Sequence, residues 1–183
     1  MNARETMWRR GLVWSAAMKL ALLVAAGLAV TTTGLPQPVT GPLVNALLIL
    51  AVEWAGPASA VLLGMVTPLG AASSGTLPLP MVVLIPFIAL GNAVLVGLYA
   101  ALLRRSRWLA LAAAALAKFA FLYGVVTALL LRPLEVAVAG APQAVAIPAA
   151  LAEMMRWPQL ATALAGGLIA FGALGVAGLW RRP

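Results

Sequence analysis

The chain has 183 residues, of which 64% are hydrophobic and 9% charged, and its mean hydropathy is +1.06; a soluble domain is roughly 45–50% apolar and 25% charged. At about 20 apolar residues per membrane-crossing helix, this length holds at most about seven or eight spans and no folded soluble module, so an ATPase, a Rossmann domain or a DNA-binding domain has no room. The net charge of +8 is gathered in short clusters between apolar runs, the pattern of membrane orientation and not of nucleic-acid binding.

The first predicted span is Gly11–Thr31, following "MNARETMWRR". Its apolar stretch is longer than the 7–15 residues typical of a signal-peptide core and no A-x-A site follows it, so it is expected to stay in the membrane. Two breaks, at Gly56–Pro57 and at Ser73–Pro80, divide the next apolar region into Gly41–Ala55, Ala58–Ala72 and Met81–Leu103. The first two of these are short for a span. A long segment, Trp108–Leu131, follows "RRSR"; then comes an uneven stretch, Arg132–Arg156, with Pro133, Pro142 and Pro148, and a last span, Gln159–Trp180, closed by "RRP". Arg4, Arg9 and Arg10, then Arg104, Arg105 and Arg107, then Arg181 and Arg182 all fall on one side only if the region Gly41–Leu103 crosses an odd number of times, and its length fits three crossings and not one. The expectation is therefore an all-α integral membrane protein, one domain over residues 1–183, a bundle of six transmembrane helices with both termini cytoplasmic. A β-barrel is excluded because these segments are continuously apolar and do not alternate.

Cys and His are both absent, which removes disulfides, thiolate nucleophiles, imidazole bases and the usual metal and haem ligand sets. No catalytic residue, metal ligand or cofactor is expected; Ser59, Ser73 and Ser74 have no His to activate them. What remains are polar side chains at membrane depth, where they are costly and mark pathways or sites. Asn45 lies about one turn into the second span, Asn92 near the middle of the fourth, Lys118 roughly 16 Å up the fifth at 1.5 Å per residue, and Gln159 and Thr162 at the outer end of the sixth. Facing one another, these five residues would form a substrate pocket open to the outside, with Lys118 as the partner of an anionic or carbonyl group. The competing arrangement pairs Lys118 with Glu53 and uses the amides to satisfy helix breaks. Lys19 is expected to snorkel at the cytoplasmic face. Pro86 is expected to kink the fourth span and free a backbone carbonyl near midplane, and Pro36, Pro38, Pro42, Pro78 and Pro80 to mark outer helix entrances. Ala17, Ala21, Ala25 and Ala29 form a stripe of methyl groups on the first span, suited either to packing within the bundle or to docking another membrane subunit.

The stretches "VTGPLVNALLILA", "GPASAVLLGMVTPLGAASSGTLPLP", "IPFIALGNAVLVGLY", "LAKFAFLY" and "WPQLATALAGGLIA" occur in that order. In them the chain resembles the substrate-binding S components of energy-coupling factor (ECF) transporters, over about residues 11–178. The resemblance implies uptake of a vitamin or related micronutrient, a small molecule, across a bacterial plasma membrane. It further implies partnership with an ECF T subunit and two cytosolic ATPase subunits. In that family an AxxxA pattern on the first helix meets the T subunit, and Ala17, Ala21 and Ala25 fit it. No G-x-x-x-x-G-K-[ST] motif is present, so such a chain borrows its energy from partners. The rival readings are a stand-alone secondary transporter, which would call for a midplane carboxylate, and a non-transporting membrane scaffold.

Overall fold

The computed structural model describes residues 3–75, 77, 79–132, 134–138, 141–145 and 148–177. Its framework is helical, in chain order α1 (Ala3–Thr32), α2 (Gln37–Ala55), α3 (Pro57–Ser73), a 3₁₀ turn (Leu79–Leu84), α4 (Ile85–Leu102), α5 (Arg107–Leu131), strands β1 (Leu134–Val138) and β2 (Ala141–Val145), a short α6 (Ala149–Met154) and α7 (Trp157–Val176). Five segments have the length and hydropathy to cross a membrane: Ser15–Thr32, Gln37–Ala55, Met81–Leu102, Arg107–Leu131 and Ala149–Val176; α3 is apolar but shorter, at 17 residues. The protein is a multi-pass helical membrane bundle.

Helix contacts close a ring in the order α1, α2, α7, α5, α4, α3 and back to α1, and α2 also touches α3 and α4 across the middle. The interior is filled by Leu48, Ile49, Leu63, Leu95, Val96 and Tyr99 among others, all at most 1% exposed. A second apolar cluster, Met81, Leu84, Val126, Ala152 and Met155, joins the 3₁₀ turn, the C-terminal half of α5 and α6 into a cap at one end of the bundle. This cap lies beyond the start of α7: Trp157 stacks on Phe119, halfway along α5, with ring centroids 4.8 Å apart, and Phe171 meets Trp108 edge-on near the beginning of α5.

Helix ends follow local chemistry. Ser106 caps α5 by accepting a hydrogen bond from the Leu109 amide, and Gly34, Gly56 and Gly75 turn the chain at positive φ, which L side chains rarely adopt. The sequence expectation differs in three places. Met81–Leu84 belongs to the 3₁₀ turn, so α4 starts at Ile85 and Pro86 sits in its first turn, where a missing N–H is tolerated; it does not kink the span. Pro42, expected at a helix entrance, is inside α2. The uneven stretch after α5 forms an antiparallel hairpin pairing Leu134 with Val145 through Val138 with Ala141, so strands are added to the all-α expectation. Of the outer prolines, Pro78 lies outside the described residues, as does the end of the predicted last span, residues 178–180.

Candidate functional site

Lys118, on α5, is 3% exposed. Its ammonium group donates to Asn45 Oδ1 at 2.7 Å and to Asn92 Oδ1 at 2.8 Å, which joins α5 to α2 and α4. Both amides are themselves oriented by backbone. Asn45 Nδ2 donates to the Gly41 carbonyl one turn back on α2, at 3.0 Å, and Asn92 Nδ2 donates to the Gly64 carbonyl on α3, at 2.9 Å. The second bond has a covalent origin. Pro68, inside α3, has no N–H to give to the carbonyl four residues earlier, so Gly64 O is left to accept from Asn92. The carbonyl freed by a proline is thus on α3 and not on α4.

Two glycines allow this approach. A Cβ on Gly64 would lie 2.9 Å from Asn92 Cβ, and one on Gly166 of α7 would lie 2.6 Å from both Asn45 Cβ and the Pro42 carbonyl oxygen. Asn45 and Asn92 are therefore held against bare backbone, with little freedom to turn. Restoring the N–H at position 68 tests this relay. Pro68→Ala is expected to return Gly64 O to the helix ladder and release Asn92. The measurement is ligand affinity by calorimetry in detergent, expected to fall several-fold with folding intact; unchanged affinity would show that Asn92 is held without the proline.

Above Lys118 a cavity of about 130 Å³ opens at the capped end of the bundle. Lys118, Asn45 and Asn92 form its floor, Thr67 and Pro68 one wall, and Gln37, Thr40 and Gln159 part of its rim. Four of the five residues singled out in the sequence, Asn45, Asn92, Lys118 and Gln159, thus line one cavity. Thr162 stands behind it: it donates to the Gln159 carbonyl at 3.2 Å, and its methyl group packs on Gly41, so it supports the α2–α7 contact. Residues not singled out before are Thr31, Gln37, Thr40 and Thr67, all on the cavity wall. Thr67 Oγ1 is buried with no hydrogen-bond partner among the described residues. The available signal was a hydroxyl next to a proline in the otherwise apolar run "GMVTPLG".

The alternative pairing of Lys118 with Glu53 is not formed. Glu53 lies two turns below Asn45 on α2 and accepts from Arg107 Nε at 2.9 Å and from the Tyr99 hydroxyl at 2.9 Å. At that same end Lys19 donates to the Trp54 carbonyl at 3.2 Å and covers the Trp54 ring, in keeping with a terminal, snorkelling lysine. The alanine stripe is turned outward: Ala17, Ala21, Ala25 and Ala29 are exposed, whereas Leu23, Gly27 and Thr31 form the buried face of α1. The stripe is therefore not packing material inside this bundle.

Comparison of the chain with protein-family models, with curated proteins and with solved structures gives no match.

Proposed function

We propose that this chain is the substrate-capture subunit of an ATP-driven importer of the ECF type, a six-span S component of a bacterial plasma membrane with both termini cytoplasmic. It takes up a vitamin or related micronutrient. The observation that carries the reading is the cavity floored by Lys118, Asn45 and Asn92 at one end of the bundle. Its walls come from α1, α2, α3, α4, α5 and α7, so a ligand held there bridges the whole helix ring. Arg104, Arg105 and Arg107 lie at the other end, together with Lys19, which supports a cytoplasmic position for that end and an outward-facing cavity. α3, although short, completes the odd number of crossings the clusters require. The chain carries no nucleotide-binding motif, and the outward face of Ala17, Ala21 and Ala25 offers a smooth surface on which a T subunit can dock in lipid and from which it can separate without breaking an ion pair.

The test is native mass spectrometry of the tagged chain, cross-linked in membranes of its own host and purified in mild detergent. The expected result is a complex with one further membrane subunit and two ATPase subunits, carrying a small-molecule adduct. Ala21→Leu combined with Ala25→Leu is expected to remove the partners and leave the adduct in place. A chain that comes off alone under cross-linking overturns the importer reading.

A further inference from the structure

Lys118 uses two of its three N–H donors on Asn45 and Asn92. It makes no ion pair among the described residues, and none of the described residues lining the cavity is acidic. A buried ammonium without a counter-charge in a membrane-embedded site is incomplete, because amide oxygens replace its hydration only in part. Thr67, 2% exposed, adds a second incomplete group: its hydroxyl is buried and unpartnered among the described residues, and the residue lines the same cavity.

The helix ends around the cavity act in the same direction. α2, α4 and α7 all begin there, with Gln37, Ile88 and Gln159 of their first turns on the wall. None of the three has a side-chain cap, and each has a proline in its first turn. Their positive dipole ends are thus uncovered by side chains. α1 and α3 end at the cavity, and there the opposite holds: the Thr31 hydroxyl donates to Gly27 O, Thr32 to Leu28 O, Ser73 to Gly70 O and Ser74 to Thr31 O. Hydroxyl donors cover the negative ends of α1 and α3, while the N-termini of α2 and α7 carry no side-chain cap.

We infer that the ligand of this cavity is a small monocarboxylate, its carboxylate seated on the third Lys118 donor and the Thr67 hydroxyl. The inference deepens the capture-subunit reading and rests on the same cavity. A volume of about 130 Å³ suits a body of ring size, since a cavity of about 150 Å³ takes up benzene. Cationic and zwitterionic molecules are rejected, since the described lining residues offer no acid to meet their ammonium group.

The experiment uses three probes of one size, benzoate, benzamide and benzylamine, on the full chain in detergent, read as the shift in thermal unfolding midpoint by tryptophan fluorescence. Benzoate at millimolar concentration is expected to raise the midpoint, and benzamide and benzylamine to leave it unmoved. Lys118→Gln keeps N–H donors for Asn45 and Asn92 but removes the charge, and is expected to weaken benzoate by at least about tenfold. Thr67→Val, of the same shape without the hydroxyl, is expected to weaken it several-fold. Benzamide or benzylamine stabilising as well as benzoate, or no benzoate shift at tens of millimolar, overturns the inference; the wild-type arms decide this even where Lys118→Gln does not fold. A carboxylate-selective chain that purifies without ATPases would uphold the inference and sink the importer reading. ATPase partners together with equal response to benzamide would do the reverse.

Discussion

Arg107→Ala is expected to destabilise the bundle by about 3–5 kcal/mol, the usual effect of removing one partner from a buried ion pair. The side chains of Arg107 and Glu53 are 9% and 3% exposed, and Arg107 contacts both carboxylate oxygens, at 2.9 and 3.3 Å. With the guanidinium gone, Glu53 keeps, among the described residues, only the Tyr99 hydroxyl and remains as a buried, nearly uncompensated charge. Net stabilities are typically about 5–15 kcal/mol, so this loss should show as a large drop in the thermal midpoint. Removing both charges, in Glu53→Gln with Arg107→Met, should recover most of it, since the penalty lies in the orphaned charge. A midpoint for Arg107→Ala equal to that of the parent would show that water reaches Glu53 and that the pair is a surface contact.

Gly166→Val should destabilise the bundle for a steric reason and should also abolish ligand binding. Its first added carbon would lie 2.6 Å from the Pro42 carbonyl oxygen and 2.8 Å from the Ala46 amide nitrogen, both backbone atoms of α2. No rotamer change relieves a clash with backbone, so α7 and α2 must separate; overpacking of this kind typically costs about 1–3 kcal/mol. Separation carries Asn45 away from Lys118 and opens the floor of the cavity. Gly172→Ala on the same helix, where an added carbon meets nothing within 4 Å, should be neutral or slightly stabilising. The measurement is thermal midpoint and benzoate response for both variants. Retained response in Gly166→Val would mean that the floor does not depend on the α2–α7 approach.

Much of the bundle was legible because hydropathy is a property of single segments. The spans read from the apolar runs agree with the helices to within a turn or so at most ends, and the interruptions at Gly56 and Ser74–Gly75 are real turns. The candidate site was legible as a set, because Asn45, Asn92 and Lys118 are each expensive at membrane depth. Their pairing was not: which carboxylate or amide meets Lys118 depends on how α2, α4 and α5 are rotated, and one chain's sequence carries no record of that. Pro86 was misplaced because a 3₁₀ turn of "LPMVVL" is as apolar as the helix that follows it. Pro68 gives little sign of its role, because apart from Thr67 the run "GMVTPLG" around it is apolar. The hairpin did have a local signal, the pair of five-residue segments "LEVAV" and "APQAV" around Gly140, but their alternation is too short to stand out against the helical stretches on either side.

The 17 residues of α3 give it a length of about 26 Å at 1.5 Å per residue, against a hydrocarbon thickness of about 30 Å. Its neighbour α1, at 30 residues or about 45 Å, is longer than the hydrocarbon is thick, so the two helices make unequal demands on the lipid beside them. Under the six-span topology proposed above, the bilayer thins next to α3, drawing the headgroups toward Ser73 and Ser74 at a cost that grows with the mismatch. Acyl-chain length thereby becomes a physical variable of this protein: shorter-chain lipids relieve the thinning, longer-chain lipids favour whatever tilt or partner contact shields α3.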